Sequence, residues 1–340
     1  MNSIRAAFTD IPASGAVQEV ADGVLWLRMP LPFALDHINL YLVDDGDGWV
    51  AIDSGLVGES TREHWRRVID QSLDGRPLKA LLVTHYHPDH LGSAGWLCEA
   101  FGIPLWITAP EYQAAEFLLC ERSETVRATQ CAYYRSLGMS AEQLDTVRAQ
   151  LQRMASAYDP LPPLGQVLDA GDELHLGGRH WQVRLATGHS PAHAVLYSPE
   201  LGVMLAGDQV LPRISSNVGI YPERLDTDPL GHWLESLERL QQWPDDTLVL
   251  PAHNEPFYGL HRRLQELRDD HAGKLKQLES FCLEPRTVME LVPLLYPRPL
   301  GGMDLMLAAG ECLAHLEYLV QRNGLVRETD AEGIWHFCVL

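Results

Sequence analysis

A dense run of metal-binding side chains constrains the fold of this chain more than any other feature. The segment Thr84–Gly92, with the sequence THYHPDHLG, holds three imidazoles and one carboxylate. It directly follows the apolar run Leu78–Val83, which is typical of a buried strand. The segment is therefore predicted to be a loop at the end of that strand, and a histidine-rich surface loop is the simpler alternative. Imidazole and carboxylate together favour zinc, with manganese or iron as alternatives.

The spacing within this segment indicates two directions of ligation. His85 and His87 alternate with Tyr86, as an extended backbone allows, and can point at one metal ion. Asp89 and His90 come after a proline and can turn toward a second ion beside the first. One short loop could thus supply ligands to a pair of metal ions.

This His-x-His-x-Asp-His run resembles the signature of the metallo-β-lactamase-fold hydrolases. That family implies a third histidine, a bridging aspartate and a last histidine, and the residues that match in order are His189, Asp208 and His253. Each of the three follows an apolar, strand-like run, and the resemblance extends over residues 15–260. The resemblance implies one metal ion bound by His85, His87 and His189, a second bound by Asp89, His90 and His253, and a bridge between them formed by Asp208.

The resemblance also implies an α/β fold, the αββα metallo-β-lactamase sandwich. We expect a hydrolase domain at residues 1–265 with a helical insertion at about 110–160, and a winged-helix-like C-terminal domain at 270–340. The tail is predicted to form three helices and a two-strand ribbon. A similar unit, with a run like Glu311–Leu319, follows the hydrolase domain in the branch that includes β-lactamase-like protein 2 and many bacterial relatives.

The chemistry implied by the family is hydrolysis by a bridging hydroxide, which two divalent metal ions generate near neutral pH. Asp208 and Asp89 are the catalytic candidates, the first as the bridge and the second as a guide for the proton to the leaving group. The motif is most similar to glyoxalase II and related thioesterases, so we expect a small thioester or ester as substrate. An acyl-CoA or acyl-carrier thioester is preferred, because the tail differs from the glutathione-binding domain of glyoxalase II. The open alternatives are a single-strand endoribonuclease, a lactone hydrolase, a mononuclear iron sulfur dioxygenase and a non-catalytic sensor.

Two further residues are candidates for supporting the ligands. Asp53 ends a predicted strand, and in the resembled family an aspartate at this place supports the metal-ligand loop. A turn or a helix cap is the alternative role for this aspartate. His193 lies four residues after His189 and is either a partner of the ligands or a buried core histidine.

Candidate substrate contacts come from two stretches. The polar segment after Asp208 begins beside the metals, and its candidates are Arg213, Ser216 and Asn217. The alternative is a loop whose side chains satisfy its own backbone. In the helical insertion, Tyr133 and Tyr134 are predicted to line an acyl-binding lid, or else to be core aromatics of a helical hairpin.

Charge and composition limit the partners that we expect. The formal net charge is −20, which disfavours nucleic acid, and residues 271–340 carry six Lys and Arg against nine Asp and Glu. We therefore assign the tail to packing, dimerisation or pocket-building, which leaves a homodimer open. There is no apolar run of about 18 residues that could cross a membrane and no apolar core of a signal peptide. The six cysteines are scattered, so we expect reduced thiols in a cytoplasmic protein.

Overall fold

Two seven-stranded sheets form the centre of the computed structural model of this chain. The structure describes residues 3–33, 35–120, 124–154, 156–222 and 228–340. Its strands are β1 (Arg5–Ala6), β2 (Val17–Ala21), β3 (Val24–Pro30), β4 (His37–Asp44), β5 (Trp49–Ile52), β6 (Leu78–Leu82), β7 (Leu105–Ile107), β8 (Leu164–Val167), β9 (Glu173–Leu176), β10 (Arg179–Ala186), β11 (His193–Ser198), β12 (Val203–Gly207), β13 (Leu248–Pro251), β14 (Phe257–Tyr258), β15 (Arg286–Thr287), β16 (Leu325–Thr329) and β17 (Trp335–Val339). Its helices are α1 (Glu59–Ser72), α2 (Pro88–Leu91), α3 (Ala94–Phe101), α4 (Ala109–Cys120), α5 (Glu124–Ser136), α6 (Ala141–Met154), α7 (Pro229–Leu240), α8 (Leu260–Phe281), α9 (Val288–Leu295) and α10 (Met303–Gln321).

The order of the strands explains where the helices lie. The first sheet runs β2-β3-β4-β5-β6-β7-β8 and the second runs β1-β14-β13-β12-β11-β10-β9. Neighbours from β5 to β8 are parallel, as are β12 and β13. Because parallel neighbours need a crossover connection, the segments between these strands form helices α1 to α7.

The core between the two sheets is built by the inward side chains of both. Trp26 and Tyr41 from the first sheet pack in one buried cluster with Trp181 and Leu196 from the second. The central strands β4, β5 and β12 are almost entirely buried, because helices cover their other face. Further buried clusters lie under α1 and α3 on one side and under α7 and α8 on the other. The αββα sandwich expected from the sequence is confirmed.

The C-terminal unit shares a core with the helical insertion. Tyr134, Leu137 and Val147 of the insertion pack in one cluster with Leu291 of α9 and Leu313 of α10. A small sheet, ordered β15-β17-β16, closes this unit. The helices and the two-strand ribbon agree with the predicted winged helix, which stays an interpretation. Helix α8 runs without a break through residues 265–270, where the sequence predicts the domain boundary.

The described part of the chain can be compared with two expectations, which concern membrane-spanning segments and reduced thiols. No helix there has both the length and the apolarity needed to cross a membrane. The thiols that the structure describes are free, and they belong to Cys98, Cys131, Cys282, Cys312 and Cys338.

Candidate metal centre

Four loops converge at one edge of the sandwich. Each follows the carboxyl end of a strand, and the strands concerned are β6, β10, β12 and β13. The loops bring together two groups of side chains, which are His85, His87, His189 and Asp208 in one and Asp89, His90 and His253 in the other. Binding residues commonly lie on such loops, because the rigid sheet fixes where each loop begins.

The first group presents three ring nitrogens and one carboxylate oxygen. Nε2 of His85 lies 2.9 Å from Nδ1 of His87 and 3.2 Å from Nε2 of His189. Oδ2 of Asp208 lies 3.4 Å from the His189 nitrogen and 3.9 Å from the His85 nitrogen. Neighbouring ligands of a tetrahedral zinc ion are about 3.3 Å apart, since each lies about 2.0–2.1 Å from the metal. The spacing of the first group therefore suits such an ion.

The second group faces the other oxygen of the same aspartate. Oδ1 of Asp208 lies 3.3 Å from Nε2 of His253 and 3.6 Å from Nε2 of His90. Oδ2 of Asp89 lies 3.4 and 3.8 Å from the same two nitrogens. Nε2 of His90 and Oδ1 of Asp208 are buried and have no hydrogen-bond partner among the described residues. Such orphaned polar atoms are costly unless a cation or a similar group satisfies them, so the residues fit a pair of metal ions.

The other ring nitrogen of four of the histidines is held by an oxygen of the protein. The contacts are His85 Nδ1 with Thr84 Oγ1 at 3.1 Å, His90 Nδ1 with Asp53 Oδ2 at 2.8 Å, His189 Nδ1 with the Asn217 carbonyl at 2.7 Å, and His253 Nδ1 with the His37 carbonyl at 2.9 Å. Because a carbonyl can only accept, the last two contacts place the hydrogen on Nδ1. The lone pair of Nε2 is then free to bind a metal ion.

Asp53 joins the end of β5 to the ligand loop. Its Oδ1 accepts a hydrogen bond from the backbone N–H of Thr84 at 2.7 Å, and its Oδ2 accepts one from the Thr84 hydroxyl at 2.9 Å. The same Oδ2 contacts His90. The backbone of Asp53 has a φ of 64°, a left-handed conformation that aspartate and asparagine adopt more readily than most residues. The structure thus places this carboxylate in contact with a ligand.

The electrostatics differ between the two groups. Burial, together with the neighbouring imidazoles, holds the pKa of His85 well below its usual value, so this ring is neutral. Burial also lowers the pKa of His90, but the carboxylates of Asp53, Asp89 and Asp208 outweigh it and hold that pKa well above the usual value. Burial raises the pKa of Asp89, and the His90 and His253 rings outweigh it to bring that pKa to about 2. Three carboxylates therefore surround the His90 ring, and their negative charge favours a divalent cation at the second group.

His193 lies beneath the cluster and supports the aspartate. Its Nε2 accepts a hydrogen bond from the backbone N–H of Asp208 at 3.1 Å, and its ring stacks on His85 at a centroid distance of 4.8 Å. Burial lowers the pKa of His193 to about 3, so the ring stays neutral. Gly207 has a φ of 49°, and a Cβ at this position would clash with the His193 ring. Only glycine allows this approach.

Glu111, on α4, connects two ligand loops and was not identified from the sequence. Its buried carboxylate accepts hydrogen bonds from the backbone N–H of Tyr86 at 3.0 Å, the Ser190 hydroxyl at 2.6 Å and the backbone N–H of Ala192 at 2.6 Å. Tyr86 stands between His85 and His87, and Ser190 follows the third histidine. A glutamate in the first turn of a helix is common for dipole reasons alone, so the sequence carries no signal for this role.

The predicted substrate contacts after Asp208 have partners within the protein. Arg213 is exposed and pairs with Glu255. The hydroxyl of Ser216 donates to the backbone carbonyl of Asp208. The side-chain amide of Asn217 faces helix α10. Ser216 and Asn217 contact the backbone of Asp208 and the ring of His189, and substrate contact by the three residues stays a prediction.

The two tyrosines of the insertion occupy different environments. Tyr134 is 1% exposed and belongs to the core shared with the C-terminal unit. Tyr133 is half-buried, packs against Trp335 and donates a hydrogen bond to the carbonyl of Ile220 at 2.7 Å. Their role in an acyl-binding lid also stays a prediction.

The cluster opens to solvent on one side. His87 and Asp89 are partly exposed, whereas His85 and His90 are fully buried. The side chain of Asp89 is 21% exposed, against 11% for Asp208. A substrate would therefore approach past His87 and Asp89.

Comparison with known families now identifies the chain. The model described as the metallo-beta-lactamase superfamily matches residues 34–253, and the model of the metallo-beta-lactamase-like C-terminal domain matches residues 275–340. The chain belongs to the metallo-β-lactamase superfamily. The resemblance proposed from the ligand spacing is confirmed.

Three relatives of this superfamily member illustrate the similarity. The crystal structure of a beta-lactamase domain protein from Burkholderia ambifaria has a TM-score of 0.91 and 38% identity, and the match covers 99% of this chain and 98% of that one. A probable metallo-hydrolase, YqjP, from Bacillus subtilis (strain 168) is 26% identical over 323 residues, covering 92% of this chain and 97% of that protein. An acyl-coenzyme A thioesterase from Bos taurus is 26% identical over 287 residues, covering 79% of this chain and 91% of that protein.

Proposed function

We propose that this chain is a hydrolase of small thioesters, with an acyl-CoA as the preferred substrate. One observation carries the proposal: the two carboxylate oxygens of Asp208 face two separate groups of ligands. A carboxylate in this position suits a bridge between two metal ions. The similarity to an acyl-coenzyme A thioesterase supports the substrate class.

Zinc is the metal that we propose for both positions, with iron or manganese as the alternatives. The donors are imidazole nitrogens and carboxylate oxygens, which suit all three metals. Two such cations supply a water that is acidic enough to be hydroxide near neutral pH, and positive charge for the oxyanion that develops on the carbonyl.

The residues of the chain position the metal ligands and transfer the proton. Asp208 is held in place because its backbone N–H donates to His193, and its carboxylate faces both ligand groups. Asp89 is the more exposed carboxylate and lies on the open side of the cluster. Because its pKa is about 2, the carboxylate is ionised, so we assign it the acceptance of the proton that the attacking water loses and the transfer of that proton to the leaving thiolate. We do not assign this role to His90 or His253, because Asp53 and the His37 carbonyl hold their Nδ1 atoms and their Nε2 atoms face Asp208 as candidate metal ligands.

The test combines metal analysis with a hydrolysis screen, which follows thiol release from acyl-CoAs and acyl-glutathiones, acid release from lactones and cleavage of single-stranded RNA. We expect two zinc ions per chain and thiol release that is fastest with an acyl-CoA series. Asp208→Asn should reduce both metal content and activity. The loss should exceed the roughly 10–100-fold that is typical when a residue that only supports a metal ligand is replaced. Asp169→Asn, at an exposed position before β9, is the matched control and should leave both unchanged.

Three results would refute the proposal. Two metals with no thiol release, but with cleavage of a lactone or of RNA, would overturn the substrate class. Release only from acyl-glutathione would overturn the choice of CoA. A single iron ion per chain with oxidation of a sulfur substrate would overturn hydrolysis altogether.

A further inference from the structure

His189 is oriented by a short segment, residues 217–221, that does not belong to any strand of the sandwich. Its Nδ1–H donates to the Asn217 carbonyl at 2.7 Å. Its Nε2 then points at the first ligand group, 3.2 Å from Nε2 of His85 and 3.4 Å from Oδ2 of Asp208. The position of one backbone carbonyl therefore decides where this ring points.

Helix α10 of the C-terminal unit holds the 217–221 segment in place. The side-chain amide of Asn217 donates to the Leu307 carbonyl at 3.2 Å and to Oε2 of Glu311 at 3.3 Å. The backbone N–H of Ile220 donates to the Gly310 carbonyl at 3.1 Å. This backbone contact is a second attachment point, independent of the asparagine side chain.

A glycine and a tyrosine complete this attachment. The hydroxyl of Tyr221 donates to Oδ1 of Asn217, so both polar ends of the asparagine amide are held. The Tyr221 ring lies against α10 at Gly310, where a Cβ would stand 2.5 Å from Cε1 of the ring. The close approach of the segment to the helix requires the absence of a side chain at this position.

Glu311 is itself fixed by groups on two helices. Its Oε1 accepts from the Lys274 ammonium of α8 at 2.9 Å, and its backbone carbonyl accepts from Nδ1 of His315 at 2.7 Å. Nε2 of His315 is therefore the acceptor for Nδ1–H of His271, at 3.0 Å. Burial raises the pKa of Glu311, but Lys274 outweighs it and brings that pKa below the usual value, so the carboxylate is ionised.

We propose that helix α10 helps to orient a metal ligand, and that Asn217 and Glu311 are positioning residues for the ligand His189. Together they hold the Asn217 carbonyl at the place where it orients the ring. The inference rests on the proposed metal centre, and it does not depend on the substrate class.

The same cluster of side chains has a second interpretation that the test separates. Ligand atoms of His271, Glu311 and His315 lie within 4.8 Å of one another, a spacing that could hold a metal ion. The Lys274 ammonium, however, already supplies the positive charge beside Glu311. The hydrogen bond between the two rings also uses Nδ1 of His271 and Nε2 of His315, and Nδ1 of His315 donates to the Glu311 carbonyl. We therefore assign the cluster to positioning.

The experiment measures metal binding without any substrate. Zn²⁺ affinity is determined by competition with a chromophoric chelator, and the ligand geometry is followed by the visible spectrum of the Co²⁺-loaded protein. The variants are Asn217→Ala and Glu311→Gln. Glu317→Gln is the matched control, since Glu317 is equally buried on α10 and pairs with Arg327, away from the 217–221 segment.

We expect both variants to weaken one of the two zinc sites by about 10–100-fold and to alter the Co²⁺ spectrum, while the control changes neither. Unchanged affinity and spectrum in a folded Asn217→Ala protein would overturn the inference. A third metal ion in the wild type that Glu311→Gln removes would overturn it in favour of a metal site at His271. A wild type that binds no metal pair would instead refute the proposed function, so the two failures are distinguishable.

Discussion

Replacing Glu111 with glutamine would remove a carboxylate that faces three donors from two ligand loops. The donors are the N–H groups of Tyr86 and Ala192 and the hydroxyl of Ser190. A glutamine amide has one oxygen and one NH₂ group. Whichever way the amide turns, its NH₂ faces at least one buried donor, so at least one hydrogen bond is lost and one N–H or O–H is left without an acceptor.

The loss in the free energy of unfolding can be estimated from the hydrogen bond that is lost and the donor that is left unsatisfied. A hydrogen bond to a charged group contributes about 1.5–3 kcal/mol, and a buried group left unsatisfied costs about 1–3 kcal/mol. We therefore expect Glu111→Gln to lower the free energy of unfolding by about 3 kcal/mol. Because the two loops carry His85, His87 and His189, the zinc affinity should also fall by about 10–100-fold.

The assay is urea unfolding followed by circular dichroism, on metal-free and zinc-loaded protein, with zinc affinity measured in parallel. Glu116→Gln is the control, since Glu116 lies on the same helix and is exposed. It should change stability by no more than about 0.5 kcal/mol. If Glu111→Gln behaved like this control, the hydrogen-bond argument would be wrong. If stability fell and zinc affinity did not, the link to the ligand loops would be wrong.

Three further predictions concern Asp53, His271 and the removal of the metal ions. Asp53→Asn keeps a residue that tolerates the left-handed backbone but removes the charge beside His90. Zinc affinity, measured by chelator competition, should fall by about 10–100-fold, and an unchanged affinity would contradict the proposed contact. Burial lowers the pKa of His271 from 6.5 to about 3, so the unfolded chain binds a proton between these values that the native chain does not. The free energy of unfolding is therefore highest above pH 6.5 and falls by about 1.4 kcal/mol per pH unit as the pH drops toward 3. Urea unfolding of metal-free protein should show a shallower loss with falling pH for His271→Gln than for the wild type. Removing a metal that is present at about 1,000 times its Kd should cost about 4 kcal/mol, so a chelator should lower the Tm of the wild type and change that of Asp208→Asn much less.

The main features of the fold can be predicted from local patterns. The apolar run before Thr84 and the alternation of strands and helices predict buried strands covered by helices, because each has its own periodicity. The αββα sandwich itself is what the family resemblance implies. The sequence predicts a helical insertion, and its helices α4, α5 and α6 are present. The shared core of the insertion and the C-terminal unit is not predictable in this way, because periodicity shows which face of a helix is buried but not what covers it.

For the candidate site, the amino-acid sequence shows which residue types stand at the ends of the predicted strands. The closely spaced His85, His87, Asp89 and His90 predict a metal site at a strand end, and the family resemblance adds His189, Asp208 and His253. The division of these donors between two metals came from the family resemblance.

The partners that orient these donors come from distant parts of the chain. The carbonyl that orients His253 belongs to His37, 216 residues away in the chain, and the carboxylate that joins two ligand loops belongs to Glu111. The attachment of Asn217 to Glu311 likewise joins segments 94 residues apart. Backbone carbonyls exist at every residue, and a lone glutamate in a helix has many ordinary uses, so no local pattern marks these partners. Only the folding of the chain brings them within hydrogen-bonding distance of the ligands.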